Sequence, residues 1–79
     1  MSRTFSSARH KALVTFLKQK RKKSGLTQVQ VAKRLHRYQS FVTAYESGQK
    51  RIDVVELTEI ADGIGFHPSE AIRAILKVR

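Results

Sequence analysis

The stretch that most constrains the fold is Thr27 to Gly48, "TQVQVAKRLHRYQSFVTAYESG". Thr27 followed three residues later by Gln30 is a capping box, and Leu26 with Val31 forms the hydrophobic staple that fixes how a chain enters a helix. A second helix must therefore run from about Gln28 to Leu35, burying Val31, Ala32 and Leu35. Only His36, Arg37 and Tyr38 separate it from another amphipathic stretch, Gln39 to about Ser47, which ends on Gly48. A connection that short forces two helices to cross at a steep angle instead of running on as one rod.

The flanking segments repeat the same grammar. Met1 to Ser7 is aperiodic and serine-rich, so it reads as a flexible arm, with residues 8–79 forming one domain. Ser6 or Ser7 can cap a first helix carrying Leu13, Phe16 and Leu17; "KQKRKKSG" ends it, placing cations at the negative end of the dipole and Gly25 where a left-handed residue is wanted. Asp53 with Glu56 makes a second capping box, ahead of a buried stripe of Val54, Leu57, Ile60, Ala61 and Ile64 that Gly65 closes. Pro68 suits the first position of a fifth helix with Ile72, Ile75 and Leu76 on its apolar side. No segment alternates with period two, so the expected class is all-α, five short helices around one small core.

Composition narrows function. Sixteen Lys plus Arg against six Asp plus Glu give +10 at pH 7, a field whose natural partner is a polyanion. The chain has no cysteine, which removes disulfides and thiolate metal sites and fits a reducing, cytoplasmic setting. The apolar run Ala12 to Leu17 is short and interrupted by Thr15, matching neither a signal peptide nor a membrane span. His10, His36 and His67 lack metal-ligand spacing and read as surface or turn residues, and Glu56, Glu59 and Asp62 read as a solvated acidic side, not a catalytic pair. With no serine elbow, phosphate loop or cofactor fingerprint, neither an enzyme nor a cofactor is expected. Phe16, Phe41, Tyr45 and Phe66 fall on inward faces and are assigned to the core instead of a stacking platform for single strands.

A capped helix, a three-residue turn and a second helix with small polar residues at its start is the arrangement of a helix-turn-helix reader of double-stranded DNA. The first helix presents its positive end to a phosphate, and the second offers its first turn to the major groove. There Gln39 can donate and accept together on the N6/N7 edge of adenine, Ser40 can reach either kind of group, and Thr43 and Ala44 can touch a thymine methyl.

The combination "SGLTQVQVAKRL", "QSFVTAYESG" and "RIDVVEL" resembles the Cro-type phage repressors, the xenobiotic response element (XRE) helix-turn-helix family, over roughly Leu13 to Pro68. The resemblance implies a compact five-helix lambda-repressor-like domain with its helix-turn-helix at about 27–47, binding operator DNA as a homodimer and controlling transcription. By position it implies base contacts from Gln39, Ser40 and Thr43, phosphate contacts from Gln28, Lys50 and Arg51, and an ion pair between Arg21 and Glu46. The turn departs from the family pattern, where Gly, an apolar residue and Ser or Pro are commoner than His36, Arg37 and Tyr38; a non-glycine residue in a left-handed turn costs on the order of 1 kcal/mol, and Arg37 adds a candidate phosphate contact. The apolar residues of the fifth helix are the candidate dimer surface. Because the family includes antitoxins, the alternative expectation is a protein-interaction module that binds a small toxin, with DNA binding secondary.

Overall fold

The computed structural model describes residues 7–78, so of the arm expected over Met1 to Ser7 only Ser7 is described, and residues 1–6 lie outside the described residues. The elements run α1 (Ala8–Lys23), α2 (Gln28–Leu35), α3 (Gln39–Glu46), α4 (Val54–Ile64) and α5 (Pro68–Leu76). No strand occurs among the described residues, in line with the all-α expectation.

The helix starts follow from their caps. The Ser7 side chain accepts from the His10 amide, Thr27 and Gln30 form the reciprocal capping box, and so do Asp53 and Glu56. α5 holds a cap that its sequence did not advertise: His67 accepts from the Ser69 amide through its ring nitrogen while Glu70 reaches back to the His67 amide. Gly25, at φ 73°, supplies the left-handed residue after α1. His36 takes the same conformation at φ 56° to end α2, the only non-glycine residue with positive φ among those described.

Around these starts the apolar stripes close on one core. Leu17, Val31, Val42, Tyr45 and Ile60 are its largest fully buried side chains, with Leu13, Leu57, Ile64 and Ala71 beside them. α1 lies against α5 and α3, α2 against α3 and α4, and α4 against α5. Edge-to-face aromatic pairs, Phe16 with Phe66 at 5.3 Å and Phe41 with Tyr45 at 5.5 Å, border the core. α2 meets α4 at Gly63, where an added Cβ would sit 2.8 Å from Leu35 Cδ2, and the Gly63 carbonyl accepts from Arg34.

Three details differ from the sequence reading. Val54 is 74% exposed, because it stands in the first turn of α4, ahead of the level at which Leu57 and Ile60 meet the core. Leu35, Phe16, Phe41 and Phe66 are only partly buried against the core. His10, read as a surface histidine, is buried in α1, with its Nε2 3.3 Å from the Gly48 carbonyl. A carbonyl only accepts, so that nitrogen carries the hydrogen, and the contact fixes the start of α1 to the end of α3.

Candidate nucleic-acid interface

The residues of α3 grade from a buried side to an exposed one, with Phe41 and Ala44 between. Val42, Tyr45 and Glu46 are buried, which fixes the rotation of the helix about its axis. Gln39, Ser40 and Thr43 therefore face outward and are exposed, while Ala44 is half-buried beside them. These four residues line one shallow concavity together with Ser47 and Gln49, two residues the sequence reading did not include.

The rotation is locked by a buried ion pair. Arg21 Nε lies 2.7 Å from Glu46 Oε2 and Arg21 Nη2 lies 3.0 Å from Oε1, a two-pronged contact, and Arg21 Nη1 donates to the Leu26 carbonyl at 2.8 Å. Burial is the largest single influence on the Glu46 carboxyl and pushes it up, but the hydrogen bonds from Arg21 and Gln28 and the positive charges of Arg21 and Lys18 together hold it below the usual carboxylate range. The hydrogen bonds that Arg21 donates to the Glu46 carboxylate outweigh burial at the guanidinium and raise it further.

Gln28 extends this lock to the exposed side. Its Nε2 donates to Glu46 Oε1 at 3.0 Å, so its amide has one orientation: Oε1 must point away from the carboxylate. That oxygen accepts from Thr43 Oγ1 at 2.9 Å and from Gln39 Nε2 at 3.5 Å. A chain of hydrogen bonds thus runs from Arg21 through Glu46 and Gln28 to two of the candidate reading side chains. A spacing rule finds the box at Thr27 and Gln30, but this linkage joins residues 11 to 25 positions apart and becomes visible only once the helices are placed.

Two of the cations expected at phosphates have internal partners. Lys50 lies 3.0 Å from Glu56 and above the Phe41 ring at 5.5 Å; the Arg37 guanidinium stacks on the same ring at 4.3 Å and stands 3.5 Å from Glu59. The Arg37–Glu59 pair is exposed and contributes about 0–1 kcal/mol, so a phosphate can displace Glu59 at little cost, whereas Glu56 is more enclosed and also accepts from the Asp53 amide. Arg51 is exposed in the loop after α3. The charge is also unevenly placed along the chain, since no acidic residue precedes Glu46. α1 to α3 therefore bring almost uncompensated positive charge to the molecule.

Among the described residues no group of His, Asp or Glu is arranged to hold a metal, and no helix is long and apolar enough to cross a membrane. The fold, the two-helix unit and the outward polar edge define a DNA-binding helix-turn-helix regulator. Comparison with known proteins makes this specific. The model of a helix-turn-helix domain family matches residues 12–74, and an XRE-family-like protein from Pseudomonas syringae pv. tomato is 37% identical, with 89% of this chain and 85% of that one aligned at a TM-score of 0.83. The chain belongs to the XRE family of helix-turn-helix transcriptional regulators. The restriction-modification controller protein C.Esp1396I aligns over 91% of this chain and 92% of its own at a TM-score of 0.81 with 17% identity, and the clp gene regulator ClgR from C. glutamicum over 91% and 94% at 0.81 and 17%; at that identity they share the fold. No curated protein matches the chain significantly.

Proposed function

We propose that the protein binds operator DNA in the cytoplasm as a homodimer, inserts α3 into the major groove and represses transcription by occupying the site. The observation that carries this reading is the locked outward edge of α3: Gln39, Ser40, Thr43 and Ala44 share one open concavity while the opposite side of the helix is anchored through Glu46. Gln39, Ser40, Thr43 and Ala44 contact bases; Gln28, Arg37, Lys50 and Arg51 contact phosphates. Gln28 joins both roles, because its oxygen orients Thr43 and Gln39 while its position opening α2 faces a strand of the duplex.

Ile72 and Leu76, 44% and 61% exposed on α5, supply the dimer contact. A two-fold arrangement sets the recognition helices about 34–36 Å apart on successive major-groove faces. The same patch is where a toxin would dock if the protein is an antitoxin, and the solution mass of the protein expressed with its genomic neighbours separates a homodimer from a mixed complex.

Selection of sites from random duplex DNA tests the reading. The expected product is a pseudo-palindrome whose preference relaxes in Gln39→Ala, whereas Arg51→Ala weakens all sequences alike. Contact with five to eight phosphates gives a log–log salt slope of about −4.5 to −7. A wild-type protein that enriches no sequence sinks the assignment.

A further inference from the structure

We propose that Tyr38, in the turn before α3, is itself a DNA contact: its ring packs on a deoxyribose of the strand bordering the bases that Gln39 reads, and its hydroxyl donates to a phosphate oxygen. The inference rests on the major-groove reading of α3 and adds a residue that neither the sequence pattern nor the family resemblance assigned.

Two independent observations make Tyr38 anomalous as a folding residue. Its side chain is 88% exposed, the highest value among the exposed large hydrophobic side chains described, so its ring stabilises nothing in the free protein. It also occupies the N-cap of α3 without making a side-chain cap, although Ser7, Thr27, Asp53 and His67 cap the other helices. Serine, threonine, aspartate or asparagine would hold that position better. A residue that fails two local rules at once, at the mouth of a binding edge, is where function overrides folding.

Its surroundings say what the ring meets. Tyr38 lines a second shallow concavity with His36, Arg37, Ser40 and Phe41, and Ser40 also lines the concavity that holds Gln39 and Thr43, so the two surfaces are continuous. The Arg37 guanidinium, stacked on Phe41, stands on the same side and gives that surface a positive charge. A duplex seated on Gln39 through Ala44 brings a sugar-phosphate strand across this neighbouring surface. Tyrosine suits a strand edge, having an apolar body for the sugar and a polar tip for the phosphate. A neutral contact of this kind carries no counterion release, which separates it from Arg37, Lys50 and Arg51.

The test uses the full chain and the duplex obtained by selection, together with an unrelated duplex. Tyr38→Ser installs a capping residue, so its thermal midpoint is expected to equal or exceed that of the wild type, and any loss of binding is not a loss of fold. Affinity is expected to fall about tenfold, equivalent to about 1.4 kcal/mol, by the same factor on both duplexes and with an unchanged salt slope. Tyr38→Phe, which keeps the ring and deletes the hydroxyl, should fall between the two. Tyr38→Ser binding within twofold of wild type overturns the proposal while leaving the Gln39 reading intact. A loss confined to the selected duplex also overturns it, by making Tyr38 a base reader. Failure of the wild type to select any DNA removes both readings together.

Discussion

Replacing Glu46 by alanine tests how α3 is held. The substitution deletes the acceptor of two Arg21 hydrogen bonds and one from Gln28, and it leaves an arginine side chain only 12% exposed with the Leu26 carbonyl as its remaining partner. An uncompensated buried charge costs about 3–5 kcal/mol. Proteins carry about 0.05–0.15 kcal/mol of stability per residue, which for 79 residues is about 4–12 kcal/mol. Glu46→Ala should therefore remove about a quarter or more of the total, read as a lowered urea midpoint followed by circular dichroism at pH 7. Arg21→Met combined with Glu46→Leu removes both charges and should recover at least about 2 kcal/mol relative to the sum of the two single losses. The carboxyl is also the clearest source of acid sensitivity: its folded pKa is depressed, so its contribution is complete above the unfolded value of about 4.3 and disappears as pH falls through the lower folded value. Glu46→Ala should lack that part of the acid transition. A single-variant loss below about 1 kcal/mol refutes the argument, because it would place the pair among the weak surface bridges.

Three further outcomes follow from particular contacts. His36→Gly relieves a left-handed residue at φ 56° and should raise stability by up to about 1 kcal/mol, less the greater freedom glycine has in the unfolded chain, so a lowered thermal midpoint counts against it. The Tyr45 hydroxyl is buried with no hydrogen-bond partner among the described residues, so Tyr45→Phe should be neutral or stabilising by about 1 kcal/mol; burial, the Glu46 charge next, drives the phenol upward, and wild-type stability should decline as pH rises beyond about 10 while the Phe variant lacks that loss. Glu59→Gln frees Arg37 from its carboxylate and should tighten DNA binding by up to about fivefold at low salt, an effect that fades as salt rises; weaker binding would show that the carboxylate positions the arginine instead of competing for it.

What the sequence made legible were features confined to a few consecutive residues. The boxes at Thr27/Gln30 and Asp53/Glu56, the glycine after α1 and the proline opening α5 each act within one turn, and they placed the helices closely. The Arg21–Glu46 pair was available only through family resemblance, and the structure contains it. Long-range contacts were not legible. Nothing near His10 announces that its ring meets Gly48, 38 residues on, nor that Gln28 turns its oxygen toward Thr43. Val54 misled because periodicity gives the angle of a side chain about its helix but not whether the core reaches that level.

The contact of Gly63 with Leu35 couples two positions 28 places apart in the chain. A methyl at 63 requires the end of the Leu35 side chain to move aside, so a larger residue at 63 is accommodated more easily beside a shorter one at 35. Aligned relatives would then display statistical covariation between them, even though neither takes part in reading an operator.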